Sequence, residues 1–451
     1  MIQMKIIIIG AGQVGSALST NLVREGNDVT LIDTRQDLLE KISEKIDLKA
    51  IHGNGAFPSM LETAGAKNAD VLIAVSHSDE INMVSCQVSY SIFNLPLKIA
   101  RIRETEYLTH DNLFSYDSIP IDVLISPEIL VSNNIENLIR HPGTIKQCFF
   151  ANGKISIIGV QRAKEIENFD SVVEMQNELS KVNSHILFLK KDGKIIKYQD
   201  EEIPDYDELL FICESSKIDE SISIIQQRKE NKRIMIAGGE KITKHLADKI
   251  KSDFQVKLIE SDEIKAEEFS RNMEDITVIN GDPANEDILL QENIEHMDVF
   301  CALTKDDENN IISSILAKKL GAKKVISLIN KTTYSELFEK KEIDVFMSAE
   351  TLTIDTLLQH ARKIKSESIY NLDNDNEELV EIAITSEGKE AKIIGKRIDQ
   401  LDISKNIMVC CLIKNEEVII NFEKTLLEEN DRLILYLKNR RYISDIENLF
   451  N

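Results

Sequence analysis

The chain has 451 residues, too many for one ordinary hydrophobic core, so two to four domains are expected. Hydrophobic residues make up 42% and charged residues 29%, which argues against a disordered chain. A formal net charge of -23 argues against a nucleic-acid binder and against direct attachment to an anionic lipid leaflet.

In chain order, the first 140 residues alternate strand and helix patterns. KIIIIG reads as a strand and QVGSALSTNLVREG as a helix; DVTLID as a strand and RQDLLEKISEKI as a helix. DLKAIHG, DVLIAVS and KIARIR follow as strands, separated by the helical stretches SMLETAGA and EINMVSCQVSYSIF, and IDVLISPE supplies a sixth strand. Near-continuous apolar strands between amphipathic helices predict a parallel sheet covered on both faces, and right-handed crossovers make it doubly wound. Met4, directly before the first strand, is a candidate alternative start.

From about residue 141 the pattern changes to short strands. HILFLKKDGKIIKY turns at Asp192-Gly193 and DELLFIC follows, which predicts a small α+β module. Both patterns then recur. KIIIIGAGQVGS is echoed by RIMIAGGEKITK, and Gly10/Gly238, Gly53/Gly281, Asp70/Asp298 and Asp79/Asp307 are each 228 positions apart. A constant offset across four successive elements marks an internal repeat. IMVCCLIKNEEVIINF and DRLILYL repeat the small module. The expected fold is α/β, with two Rossmann-like doubly wound sheets, each followed by a small α+β domain. The expected limits are 1–140, 141–230, 231–366 and 367–451.

The turn Gly10-Ala11-Gly12-Gln13-Val14-Gly15 follows a strand and opens a helix. Gly10 permits the tight turn, Gly12 lets a pyrophosphate approach the backbone, and Gly15 lets helix and strand pack closely. Gln13 and Val14 begin the helix, whose free N–H groups and positive dipole end suit phosphates. Asp33 closes the second strand, where a carboxylate accepts from ribose hydroxyls and repels a 2′-phosphate, so NAD(H) is favoured over its phosphorylated form. Nearby Arg35 keeps the phosphorylated form open. In the second copy Glu240 replaces Gly12 and Thr243 replaces Gly15, while Glu260 keeps the ribose acid. That site is expected to be lost or altered for dinucleotides. Asn54, Ser76 and Arg101, at the carboxyl ends of strands three to five, are candidates to complete the first pocket. Ser76 and Asp79 fit a helix-capping box. Arg103 reads as a surface ion pair, and Ser327 and Ile329 take the places of the two arginines in the second copy.

The strings KIIIIGAGQVGSAL, DVTLIDT, VLIAVSHSDEINMVSCQVSYSIFN, KIARIRETEY and IPIDVLISPE resemble the TrkA family. VKLIESD, TVINGDP, ALTKDDENNIISSILAKKLGAKKV and IDVFMSAE extend the resemblance over almost the whole chain. It implies two nucleotide-binding RCK domains, each followed by an RCK-C domain. It further implies binding of NAD(H), or of ATP or ADP, and assembly into a homo-oligomeric ring, a tetramer. The ring would lie at the cytoplasmic face of the cell membrane and gate a Trk-type potassium-translocating membrane subunit. Carried onto this chain, Gly10, Gly12, Gly15 and Asp33 would hold the nucleotide, with Asn54, Ser76 and Arg101 around it. Asn54 stands where many such domains have an aspartate.

An enzyme is the main alternative. An NAD-dependent oxidoreductase needs a general acid or base beside the nicotinamide. His185 lies in the first small module and no histidine in the second; His52 and His77 have no visible orienting acid. The expectation is therefore no enzyme and no metal site. A DNA-binding redox repressor would need a basic recognition helix, which the sequence lacks. The six cysteines (Cys86, Cys148, Cys213, Cys301, Cys410 and Cys411) show no metal-ligand spacing, lie mostly in apolar runs, and are expected as buried free thiols. No apolar run is long enough to cross a bilayer.

Overall fold

The computed structural model describes residues 3–110, 112–162, 169–196, 203–226, 230–331, 342–362, 366–372, 377–386, 389–415, 417–420, 422–439 and 442–448. The second arm of the small-module hairpin around Asp192-Gly193 is described only as far as Ile196.

The first sheet is built from β1 (Lys5–Ile9), β2 (Asp28–Asp33), β3 (Lys49–His52), β4 (Val71–Ala74), β5 (Leu97–Arg101) and β6 (Val123–Ile125). Its order is β3-β2-β1-β4-β5-β6 and every pairing is parallel. Helices α1 (Gln13–Arg24), α2 (Gln36–Ser43), α3 (Pro58–Ala64) and α4 (Asp79–Phe93) make the crossovers. Ile6, Ile7, Ile8 and Ile9 are all buried, because helices cover both faces of a doubly wound sheet. Helix α1 turns Val14, Leu18 and Leu22 inward at four-residue spacing. The order reverses between β1 and β4, which opens a crevice at the carboxyl ends of the strands.

A small sheet follows: β7 (Thr144–Phe150), β8 (Ile155–Gln161), β9 (His185–Lys191), β10 (Lys194–Ile196) and β11 (Glu208–Glu214). It is antiparallel, in the order β10-β9-β11-β8-β7. The pair β7 and β8 goes beyond the strands read from the sequence. The third sheet repeats the first with β12 (Arg233–Ala237), β13 (Gln255–Glu260), β14 (Ile276–Asn280), β15 (Val299–Ala302), β16 (Lys324–Leu328) and β17 (Val345–Met347). It is all parallel, in the order β14-β13-β12-β15-β16-β17. The fourth sheet joins β18 (Ser366–Asn371), β19 (Glu378–Ala383), β20 (Ile407–Lys414), β21 (Glu417–Ile419) and β22 (Arg432–Leu437), in the order β18-β19-β22-β20-β21. The fold is thus α/β, with two Rossmann-like sheets each followed by a smaller sheet.

By compactness the chain divides into two units. One holds Met1–Leu130, Glu350–Ile369 and Asn439–Glu447; the other holds Val131–Ala349, Tyr370–Lys438 and Asn448–Asn451. Helix Ala349–Ala361 follows β17 in sequence, yet Ile354, Leu357, Leu358 and Ala361 join the core beneath β1 and α1. Burying each large aliphatic side chain there contributes roughly 1.5–3 kcal/mol. The Arg362 guanidinium donates to Glu25 at 2.9 Å, and both side chains are nearly inaccessible, so the helix end is ionically fixed to the end of α1.

In the other unit, helix Pro127–Arg140 contributes Arg140, which meets Asp253 at 2.8 Å, and Glu136, which meets Lys249 at 3.1 Å. The same unit holds β7 to β11 and β19 to β22, which share one core that includes Phe150, Ile157, Leu210, Leu379, Cys411 and Ile434. Buried Lys190 donates to Glu377 at 2.6 Å, and Tyr436 donates to the other oxygen of the same carboxylate at 2.5 Å. All six cysteines are buried and free; burial pushes Cys86, Cys148, Cys213 and Cys301 up to about 12. No helix among the described residues is long and apolar enough to cross a membrane.

Candidate nucleotide site

The glycine turn follows β1 directly. Gly10 has φ +105°, and a Cβ there would lie 2.8 Å from the Ser76 Cα. Both facts require glycine. At Gly15 a Cβ would lie 1.8 Å from the Gly10 carbonyl oxygen, so α1 presses on the turn. At Gly12 a Cβ would meet nothing within 4 Å. Packing therefore demands glycine at Gly10 and Gly15. At Gly12 no neighbouring atom demands it, and the space it leaves suits a diphosphate.

Gly12 is the N-cap of α1, no side chain caps the helix, and its first turn carries no acid. Gln13 is exposed and Val14 is buried on the core side. The N–H groups of this turn and the positive helix end therefore suit an anion. Asp33 ends β2 beside them. Its Oδ2 accepts from the Ala11 N–H at 2.5 Å and its Oδ1 from the Arg35 N–H at 2.7 Å. These bonds fix the carboxylate, and each oxygen keeps a lone pair for a hydroxyl donor. Arg35 itself turns to Asp37, 2.8 Å away, where the hydrogen-bonded Asp37 carboxylate raises its pKa.

The other predicted residues lie along the same strand ends, with part of their bonding capacity used locally. Asn54 Oδ1 accepts from the Ala56 N–H at 2.9 Å and shapes its loop. The Ser76 hydroxyl donates to the Ser78 carbonyl at 3.1 Å. Arg101 donates through Nη2 to the Ser76 carbonyl at 2.9 Å. Its Nε is buried and has no hydrogen-bond partner among the described residues. Burial lowers the Arg101 pKa, with Arg103 adding to the effect, while the Glu128, Asp79 and Glu350 carboxylates oppose it. A half-buried guanidinium at the strand ends is a fitting partner for phosphate oxygens.

The second copy reproduces the frame and departs at the turn. Gly238 has φ +101°, and Glu260 accepts from the Gly239 N–H as Asp33 does from Ala11. Glu240 is the N-cap of helix Lys241–Ile250, but its carboxylate does not cap the helix. It meets Lys265 at 2.7 Å and Lys305 at 2.9 Å. Thr243 is fully buried, and its hydroxyl has no partner among the described residues. The place of Arg101 belongs to Leu328, not to Ser327. Strand pairing sets Leu97 beside Val71 and Lys324 beside Val299, so the offset shortens by one residue before β16. By the same register Asn330, not Ile329, follows in the place of Arg103. An aliphatic side chain at the end of β16 cannot donate to a phosphate.

Two stretches, residues 6–127 and 234–349, match the family model for the TrkA-N domain, more than half of the chain. The Trk system potassium uptake protein TrkA of Haemophilus influenzae is 38% identical over 99% of this chain and 98% of its own length. That of Vibrio alginolyticus is 37% identical over the same shares. The chain belongs to the TrkA family. The family's members are named for potassium uptake, and it is not a family of enzymes. Among solved structures, the GsuK RCK domain matches with a TM-score of 0.62 at 16% identity, covering 99% of this chain and 95% of that one. The GsuK channel bound to NAD matches with the same TM-score and covers 79% of that chain. At such identity these two show the shared RCK fold.

Within the family frame, two bracing residues go beyond the sequence reading. Asn82 is fully buried; its Oδ1 accepts from the Ser76 N–H at 2.9 Å and its amide donates to the Arg101 carbonyl at 2.8 Å. Asn310 makes the same bonds to Thr304 and Leu328 in the second copy. The signal was available, since these asparagines share the 228-residue offset. The capping box needs correction. Ser78 caps α4 by accepting from the Ile81 N–H. Asp79 instead accepts from the Arg103 and Glu104 N–H groups at 2.9 and 2.7 Å, because its carboxylate reaches the loop after β5. Arg103 does form the expected ion pair, with Glu128 at 3.1 Å.

Proposed function

We propose that this chain is the nucleotide-sensing regulatory subunit of a Trk-type potassium uptake system. NAD(H), or ATP or ADP, binds in the first cleft, and occupancy gates the potassium-translocating membrane subunit. The carrying observation is the room at Gly12 between two glycines that packing demands, with Asp33 fixed alongside. Gly10, Gly12, Gln13, Val14 and Gly15 would take the diphosphate, Asp33 a ribose, Arg101 a phosphate, and Asn54 and Ser76 the remaining wall. That a channel of the same fold has been solved with NAD is in keeping with this ligand.

A ligand gates a partner only by binding two conformations unequally. Helix α1 carries the phosphate end of the cleft and is fixed at its other end, through Glu25, to Arg362 and helix Ala349–Ala361. Movement of α1 on nucleotide binding therefore shifts a helix belonging to the second half of the chain. Domains 1–140, 141–230, 231–366 and 367–451 would assemble as a homotetrameric ring against the cytoplasmic side of the membrane subunit, with no nucleic-acid partner. The test is potassium flux in vesicles containing the membrane subunit, with purified chain and NADH, NAD, ATP or ADP. Flux that responds to one of these and loses the response in Asp33→Ala supports the reading. Flux indifferent to all four defeats it.

A further inference from the structure

We propose that Glu240 is a built-in plug that closes the second cleft to nucleotide diphosphates, held across it by Lys265 and Lys305, so that each chain carries one nucleotide site. The inference deepens the function proposed above and rests on its reading of the glycine turn as a diphosphate site.

The repeat supplies the control. At Gly12 the first cleft is open, whereas the matching position in the second carries a carboxylate. The plug ties three separate segments: the turn after β12, helix Glu263–Asn272 through Lys265, and the loop after β15 through Lys305. These segments line the crevice where the strand order reverses, which is where a diphosphate would join them. His77 stands at the place of Lys305 in the first copy, and there no carboxylate occupies the turn. Burial raises the Glu240 carboxyl, but hydrogen bonds from Lys265 and Lys305 outweigh it and leave the group below the ordinary glutamate value. At neutral pH the plug is therefore an anion paired with two cations. An entering diphosphate meets its negative charge first and finds both lysines taken.

Thr243 contributes independently. In the first copy any Cβ at the matching position would run into the Gly10 carbonyl. A helix that carries threonine there must stand further from its turn, which loosens the cradle that backbone N–H groups form for phosphate.

The test counts bound NADH per full-length chain by native mass spectrometry and calorimetry. The wild type is expected to bind one, and Gly12→Asp none. Gly12→Asp combined with Glu240→Gly and Thr243→Gly is expected to bind one again, now in the second cleft. With Gly12 intact, the two glycine substitutions should raise the count from one to two. A Gly12→Asp chain that still binds one NADH overturns the plug. So does a folded triple variant, checked by circular dichroism, that binds none. Should the glycine pair fail to fold, Glu240→Ala in the Gly12→Asp background must still raise NADH affinity above that of Gly12→Asp alone, with Thr243 limiting the gain, and no gain overturns the plug. A wild-type chain that binds none refutes the functional reading, while the count in the triple variant still decides the plug.

Discussion

The two clefts share a frame and differ at its centre. Each has a left-handed glycine after the first strand, an acid receiving the next N–H, a buried asparagine bridging two strand ends, and an aspartate tying down a distant loop. The middle of the turn separates them, where Gly12 leaves room and Glu240 fills it. The comparison teaches that a Rossmann frame and a ligand site are separable properties. Packing holds the first glycine of the turn in both copies. The open position is free to change, since nothing in the fold rests against it.

The sharpest way to break the comparison is at Gly15. Gly15→Val places atoms inside contact distance of the Gly10 carbonyl and is expected to cost about 4 kcal/mol, read as a lower Tm. Thr243→Val removes a buried hydroxyl that lacks a partner among the described residues and should be neutral or slightly stabilising. Equal losses at the two positions would mean the helices stand alike.

The edge strands offer the next contrast. Lys98, almost fully buried, meets Asp122 at 2.8 Å through its ammonium and at 2.7 Å through its backbone N–H. In the second copy Val325 takes the place of Lys98: its N–H donates to Asp344 at 2.7 Å, and the Asp344 carboxylate pairs instead with Lys318, a quarter exposed. Asp122→Asn strands a buried ammonium and should cost about 3 kcal/mol by denaturant unfolding; Asp344→Asn should cost less, because water can reach Lys318. Burial raises the Asp122 carboxyl, but hydrogen bonds from Lys98 and Tyr116 outweigh this and lower it. A carboxyl lowered in the folded state contributes stability above its unfolded value, about 4. That stability drains away as pH falls through the folded value. Asp122→Asn should flatten this acid limb in a pH series of melting curves.

Smaller effects sharpen the picture. Gly12→Asp should leave the melting temperature unchanged, since nothing crowds that position, and weaken NADH binding more than about 100-fold in calorimetry. Lys305→Ala removes a largely exposed partner of Glu240, and its effect on stability should stay within about 0.5 kcal/mol.

Much of the fold was legible in sequence because apolar periodicity and glycine turns are local signals. The alternation of KIIIIG, DVTLID and DVLIAVS with helical stretches led to the six-stranded order, and the 228-residue offset to its repetition. At Asp79 the sequence pattern and the structure differ for a physical reason. A capping box is defined by neighbours in sequence, whereas the Asp79 carboxylate bonds to N–H groups some 25 residues away. The counterpart of Arg101 in the second copy is Leu328, one residue beyond the expected Ser327, because the length by which the repeat offset shortens before β16 is visible only in strand register. The role of Asn82 is not legible in sequence, because a buried polar bridge looks there like any other helix residue.

By itself the sequence determined the strands of the two parallel sheets, the turn chemistry and the place of the acid at Asp33, since each depends on the residues next to it. Tertiary structure alone decided which half of the chain receives helix Ala349–Ala361, that Arg362 pairs with Glu25, and that Glu240 faces two lysines. Those pairings join residues far apart in the chain, and only packed surfaces, with burial and charge to satisfy, select among them.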